Sequence, residues 1–471
     1  MKRNKKISLF FLTMVSSSLV VSVRNLPTIA ETQMQMLFFG GIAALFYFIP
    51  AALTSAELAT GWPKIGGIYV WAKEALGSKV GFFAIWLQWS YMIISVIAMV
   101  YFIGGSLAFV FNPDLAANRW FLAGVALFVI WTFTILNLNG ITTTSLISTI
   151  GFLSGVLLPG LLIIILGIVY VSIGDVVHVN MAAKTSNYFP NFTDLATWVL
   201  LVGFMRAFAG IEVSSSHAKD VSNPQRSFPI ALFIVVFFGL LINILGSLSV
   251  AIVVPQKEIS LIAGIMEAFT IFFDKFHMRW LVPVLGFLAA VGQTGGVSTW
   301  IMGPVKGLLA SAQDGDLPKF LGKVNSRGAP CNLLIIQAII VSIIASVLLL
   351  FSTINVAFWF SVALSMMIYG TMYALMFLSG IILRYTQPKI KRAYRIPGKA
   401  NIGMWISSVF GILMMIFAFC IATIPPAQLP TEHKEGYVAG LIISILVVYS
   451  LPFIILAFKG KLSRKERVTK R

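Results

Sequence analysis

Twelve apolar runs, each long enough to cross a lipid bilayer, constrain this chain more than any other feature. They lie near 8–29, 35–58, 79–111, 119–138, 142–172, 196–217, 228–254, 281–310, 331–351, 354–383, 402–424 and 437–458. A spanning helix needs about 20 apolar residues. In lipid every backbone polar group must be satisfied within the segment, so each run is expected to be helical. Of the 471 residues, 58% are apolar and only 11% charged. A soluble domain carries roughly 25% charge, so too few charged side chains exist to cover a water-facing surface. A soluble cytosolic enzyme is excluded, and so is a disordered chain, which needs low hydrophobicity and high charge.

Charge predicts the orientation. Of the 34 basic residues, 26 fall in alternate connections starting with the N-terminal segment, 6 fall in the others, and Arg24 and Arg206 lie inside apolar runs. Such a bias places both termini in the cytoplasm. The net charge of +18 is read as contact with an anionic inner leaflet, with no nucleic-acid partner implied. The first run follows Lys2, Arg3, Lys5 and Lys6 without a small-residue cleavage site, so it is expected to be a retained first helix. Cys331 and Cys420 are expected to be small buried hydrophobes. His178, His217, His277 and His433 have no zinc-ligand spacing, and neither metal nor cofactor is expected. The stretch Ile259–Phe273 is too short to span and is expected to lie as an amphipathic helix at the outer interface.

Two runs break the rules of a membrane helix. Residues 14–27 read MVSSSLVVSVRNLP, and residues 203–224 read GFMRAFAGIEVSSSHAKDVSNP. Proline removes a helix hydrogen bond, and nearby serines can satisfy the freed backbone groups. The interrupted runs are the first and the sixth. Interruptions at matching places in two halves predict an inverted repeat with a binding site at the membrane midplane. The expected fold is an all-α integral membrane protein of twelve spans, in a 5+5 inverted repeat plus two helices. Its parts are residues 1–173, residues 174–401 with the interfacial helix near 259–273, residues 402–458, and a basic tail at 459–471. A broken helix exposes free N–H groups on one half and free C=O groups on the other. Those groups suit the carboxylate and ammonium of an amino acid. No GxxxxGK[ST] phosphate loop occurs, so the driving force is expected from an exchanged solute or from H⁺.

Four segments carry a resemblance: AELATGWPKIGGIYVWAKEALG (56–77), FAGIEVSSSHAKDVSNPQRSFP (208–229), LLASAQDGDLPKFLGKVNSRGAP (308–330) and RAYRIPGK (392–399). They resemble signature segments of the amino acid–polyamine–organocation transporter superfamily. Within it, VRNLP (23–27), NYFPNF (187–192), IVVPQKEISLIAGIMEAFT (252–270) and TWIMGP (299–304) resemble the glutamate/GABA antiporter branch. The resemblance implies a LeuT-like fold in which Val20, Val21 and Ser22 form the unwound part of the first helix. Many relatives have Gly-Ser-Gly there. It implies that Phe208, Ala209, Gly210 and Ile211 form the unwound part of the sixth. Glu212 then matches a gating or proton-coupling glutamate, Arg206 a pocket-lining position, and Trp300 and Tyr369 further pocket candidates. Relatives in that branch often carry a long C-terminal plug, whereas 13 residues follow Phe458 here.

Each candidate has a structural alternative. A charge at membrane depth costs roughly 2.5–3.5 kcal/mol on insertion scales, so it faces a cavity or a partner. Arg206 either lines the substrate path or pairs with Glu212. Glu212 gates or couples protons, or it caps the broken helix. Arg24 belongs to the gate, or snorkels to the outer face. Gln88 and Tyr91 read mainly as interhelical glue, and Tyr373 and Trp359 as packing. Gln293, with Thr294, Gly295 and Gly296, either lines a wet path or allows close packing. Asp314 and Asp316 read as turn chemistry with a gating salt bridge. The expected function is secondary amino acid transport, not enzymatic, by an antiporter of a bacterial inner membrane. It exchanges glutamate or another acidic or polar amino acid for a relative or its decarboxylated amine. The expected partners are those two solutes, the bilayer and H⁺, with the protein a monomer or homodimer. A proton-coupled importer, a channel and a membrane-embedded enzyme are the alternatives.

Overall fold

The structure is a computed structural model that describes residues 6–261, 263–347, 354–425 and 434–469. Lys2, Arg3, Lys5, His433 and the end of the ninth run at 348–351 lie outside the described residues. The first run forms α1 (Leu9–Val20) and α2 (Leu26–Ala30). Then follow α3 (Gln33–Gly61), the short α4 (Ile68–Leu76), α5 (Ser78–Phe111), α6 (Arg119–Asn137) and α7 (Ile141–Ser172). Next come α8 (Leu195–Ala207), α9 (Pro224–Val253), α10 (Gly264–Lys275) and α11 (Leu281–Gln313). The chain continues as α12 (Cys331–Val347), α13 (Ile354–Thr386), α14 (Ile402–Ala422) and α15 (Lys434–Thr469). Among the described residues, ten helices are long and apolar enough to cross a membrane. Two shorter apolar helices, Thr197–Ala207 and Cys331–Ser346, accompany them. Among the described residues, one isolated parallel β-bridge forms, between Ile7 and Val221.

Burial separates centre from rim. In the α1–α2 span 83% of an 18-residue apolar stretch is buried inside the protein, and in the last span only 17%. The first helix is thus a core element, although it carries the serines and the arginine that lipid would reject. Proline takes the first turn of α2, where its missing N–H removes no helix bond. Among the described residues three π turns interrupt long helices: Ala44–Phe48 in α3, Leu153–Leu157 in α7 and Ile242–Gly246 in α9.

Helices α7 and α11 cross backbone to backbone. A Cβ on Gly155 would fall 1.9 Å from the Leu288 carbonyl oxygen, and one on Gly292 would fall 2.4 Å from the Gly155 oxygen. A Cβ on Gly151 would come within 3.0 Å of Gly295. The backbones themselves are in contact, as small residues permit. The polar glycine patch of α11 therefore divides. Gly295 serves packing, whereas Gln293 is turned toward α1.

Three expectations are corrected. The short helix expected at the outer interface runs over Gly264–Lys275, not 259–273. Its apolar face, including Phe269, Phe272 and Phe273, is buried against the protein, with Phe272 edge-on to Tyr170 of α7. Periodicity revealed the amphipathic stripe but not that protein covers it. The two cysteines are not both buried: Cys331 is half-buried and Cys420 exposed on α14. An apolar-run context does not distinguish the core from the lipid face. Finally, α15 runs on to Thr469, into the segment expected as a separate tail.

Candidate functional site

The first interruption falls at Val21 and Ser22, both in extended conformation between α1 and a short 3₁₀ turn, Val23–Asn25. The Ser22 hydroxyl caps that turn by accepting from the Arg24 N–H at 3.2 Å, and donates to Gln293 Oε1 of α11 at 2.7 Å. The second interruption follows α8. Gly210 has φ +107°, a conformation L side chains rarely adopt, and a 3₁₀ segment Val213–Asp220 resumes the path. A Cβ on Gly210 would also lie 2.5 Å from the Trp300 ring, so glycine is required twice over.

The interruptions touch. Asn25 donates to the Ala207 carbonyl at 3.4 Å, and Trp300 Nε1 donates to the Leu19 carbonyl at 3.0 Å. These bonds occupy carbonyls at the C-terminal ends of α8 and α1, which a continuous helix would have satisfied itself. Between the breaks lies a narrow cavity. Its walls are Ser18, Leu19, Val20, Ser22, Arg24, Asn25, Tyr91, Ser95, Met99, Arg206, Ala207, Ala209, Gln293 and Trp300. It is so constricted that it admits about one water molecule. Arg24 and Arg206 are each 7% exposed, and no carboxylate side chain stands among the lining residues. The site is therefore cationic and shielded from bulk water, which strengthens any charge interaction made inside it.

Glu212 is fully buried beside the second break. It accepts from Gln88 of α5 at 2.7 Å, from Tyr373 of α13 at 2.5 Å and, by a shorter bond, from Tyr369 of α13. Tyr373 works in both directions, since its hydroxyl also accepts the Gly210 N–H at 3.0 Å. Tyr369 stacks on Tyr91 with ring centroids 3.8 Å apart, and Tyr91 meets Trp300 at 5.2 Å. A proton arriving at Glu212 would turn an acceptor oxygen into a donor. The tyrosine hydroxyls facing it would have to reorient, and both lead toward the breaks and the cavity.

Of the residues expected at a substrate site, Val20, Ser22, Arg206, Ala209, Gln293 and Trp300 line the cavity, and Arg24 joins them rather than reaching the outer face. Val21, Phe208, Gly210 and Ile211 do not line it. Phe208 stacks on Phe48 of α3 at 4.6 Å, and Gly210 lies under Trp300. Gln88 and Tyr373, read from sequence as glue and packing, both bond Glu212, and for Gln88 that bond is the interhelical contact expected of it. A detectable signal existed for the tyrosines: positions 369 and 373 are i and i+4, one face of a helix. Trp359 stays a buried residue whose carbonyl accepts from Tyr437 of α15. Among the described residues, no three His, Cys, Asp or Glu side chains converge as a metal site would require.

Ion pairs tie the basic face together. Arg384 of α13 grips Glu57 of α3 through two nitrogens at 2.7 and 2.5 Å, and both are 1% exposed. Asp314 takes the Tyr69 hydroxyl at 2.7 Å and Lys73 at 2.6 Å, while Asp316 takes Ser311 at 2.8 Å. These aspartates thus join α4 to the end of α11. Lys73 and Tyr69 hold the Asp314 carboxyl below the usual range against the opposing effect of burial.

A family model described as amino acid permease matches residues 7–448. The chain is 38% identical over 455 residues to an uncharacterized transporter of Legionella pneumophila, covering 96% of this chain and 97% of that one. It is 35% identical over 463 residues to a glutamate/gamma-aminobutyrate antiporter of Lactococcus lactis, covering 97% and 91%. A cadaverine/lysine antiporter of Escherichia coli is 26% identical over 351 residues, or 72% and 74% of the two chains.

Proposed function

The chain belongs to the amino acid permease family, and from that premise we propose that it is an antiporter exchanging an acidic or polar amino acid, with glutamate the leading candidate, for a related amino acid or its decarboxylated amine. One observation carries the reading: two interrupted helices meet at a cavity lined by two buried arginines and no carboxylate. The α-carboxylate finds free N–H groups after a break, and the ammonium finds carbonyls at a helix C-terminus. The guanidiniums of Arg24 and Arg206 suit a second carboxylate. The Lactococcus relative's substrates agree with that charge pattern. The cavity is too constricted for an amino acid as it stands, so binding requires the half-helices to move. That movement is the opening step of alternating access.

The order of elements supports a twelve-span fold with a 5+5 repeat. A broken helix, a helix with a π turn, a short helix and a very long helix follow one another twice: α1–α2, α3, α4, α5 and then α8, α9, α10, α11. The very long members have 34 and 33 residues. The short α4 lies in a connection of the basic side and the short α10 in one of the opposite side, as inversion requires. The basic bias supports cytoplasmic termini, and the proposed location is a bacterial inner membrane. Glu212 is the proposed gating and proton-coupling group.

The test uses purified protein in liposomes. Uptake of labelled glutamate is expected only when the lumen holds an amino acid or γ-aminobutyrate. Equal uptake into empty vesicles overturns exchange, and uptake into empty vesicles only under a pH gradient favours the proton-coupled importer. Arg206→Ala is expected to weaken acidic substrates at least tenfold more than neutral ones, whereas equal loss would make Arg206 structural.

A further inference from the structure

The chain enters α1 through residues 6–8 and leaves the 3₁₀ segment Val213–Asp220 through residues 221–222. These two short stretches are paired. The Ile7 N–H donates to the Asp220 carbonyl at 2.8 Å, and the Ser222 N–H donates to the Ile7 carbonyl at 2.9 Å. The Ser222 hydroxyl reaches the same Ile7 oxygen at 3.0 Å. Ile7 and Val221, the residues of the parallel bridge, are 4% and 1% exposed. The half-helices beyond the two breaks are therefore fastened to each other at their far ends.

Asp220 holds a second attachment of another kind. Its carboxylate pairs with the Lys306 ammonium of α11, and His217 Nδ1 stands 3.8 Å from the same oxygen. The Lys306 side chain is 8% exposed. Burial alone would raise the Asp220 pKa, but His217 and Lys306 outweigh it and hold the carboxyl well below the usual range, so it is ionised at neutral pH.

The mechanical settings of the attachments differ. The two half-helices hang from joints at Val21–Ser22 and 208–212, where the helical ladder lapses. Helix α11 is packed backbone-to-backbone against α7 at Gly155 and Gly292, with no room there for even a methyl group. Resting on the transporter reading above, we infer that Asp220 is a positioning residue of the exchange cycle: its pair with Lys306 is a lock that opens when the cavity faces the basic side, while the Ile7–Val221 pairing persists and carries both half-helices as one body. The backbone pairing joins two moving parts and needs no rupture. The ion pair joins a moving part to the fixed one, so it must break and re-form in each cycle.

Cross-linking separates the two attachments. In a cysteine-free C331A/C420A protein, Asp220→Cys with Lys306→Cys is bridged by a short reducible bis-thiosulfonate, and Ile7→Cys with Val221→Cys is joined by oxidation. Bridging 220 to 306 is expected to cut glutamate exchange at least tenfold, with recovery on reduction. Joining 7 to 221 is expected to leave exchange within twofold. Loss on joining 7 to 221, or no effect of the 220–306 bridge, overturns the inference. Should the cysteine pairs fail to exchange before bridging, single variants decide. Asp220→Asn is expected to lower the maximal rate at least fivefold with KM within twofold, and Asp220→Glu to restore at least half of it. Equal losses in both, or a change in KM alone, overturn it too. If the unaltered protein exchanges no amino acid, the functional reading fails; if it exchanges and these readouts go the other way, the lock alone fails.

Discussion

Glu212 shows what one buried side chain can set in motion. Its carboxylate is surrounded by three donors, and one of them, Tyr373, also holds the Gly210 N–H at the centre of the second break. Adding a proton must rearrange that set, because a protonated oxygen cannot accept as before. Glu212→Gln keeps the shape and removes the titration. It is expected to slow exchange and to flatten its pH profile between about pH 5 and 8, with substrate still detected by thermal shift. A profile as steep as that of the unaltered protein would remove Glu212 from the mechanism. The sequence singles out Glu212 and Arg206 because charge inside an apolar run is anomalous on its face. It does not join Gln88, Tyr369 or Tyr373 to Glu212, from which they lie 124, 157 and 161 residues away. Glutamine and tyrosine are ordinary in membrane helices, and only folding makes them neighbours of a carboxylate.

At the scale of elements, the two breaks were legible because proline, serines, glycines and charges within an apolar run all oppose a continuous helix. Their joint position was not, since it depends on which helices pack in the centre. The α7–α11 crossing offers a direct test. Gly155→Ala would place a methyl 1.9 Å from the Leu288 oxygen and 2.3 Å from the Gly292 nitrogen. Backbone cannot yield as a side-chain tip can. The cost should reach about 1–3 kcal/mol or more, seen as a lower melting temperature in detergent. Gly41→Ala, with nothing within 4 Å of the new methyl, should be neutral or stabilise by up to about 1 kcal/mol of helix propensity. Similar melting shifts for the two variants would mean that the crossing is looser than its distances state. The amphipathic α10 teaches the complementary point. Its stripe was visible as a pattern, but a stripe does not say whether lipid or protein will cover it.

Across the whole molecule, Glu57 and Arg384 join the ends of α3 and α13 over 327 residues of sequence, both nearly inaccessible to solvent. Glu57→Gln leaves Arg384 and Arg392 close together without their carboxylate. Loss of one member of a buried pair costs about 3–5 kcal/mol. Lys64→Gln in the exposed Lys64–Glu74 pair should cost less than about 1 kcal/mol. Thermal unfolding of both variants checks the contrast, and equal shifts would refute it. The sequence by itself determined that this chain lives in a membrane, how its charged connections alternate, and where two helices cannot stay continuous. Those properties are local: apolar length, basic residues per connection and helix-breaking chemistry are written in consecutive residues. Tertiary structure alone decided that the two breaks share one cavity, that two arginines face it together, that Tyr373 wires Glu212 to Gly210, and that Ile7 fastens to Val221. Each of those depends on which distant helices lie side by side, and close packing, not local pattern, settles that choice.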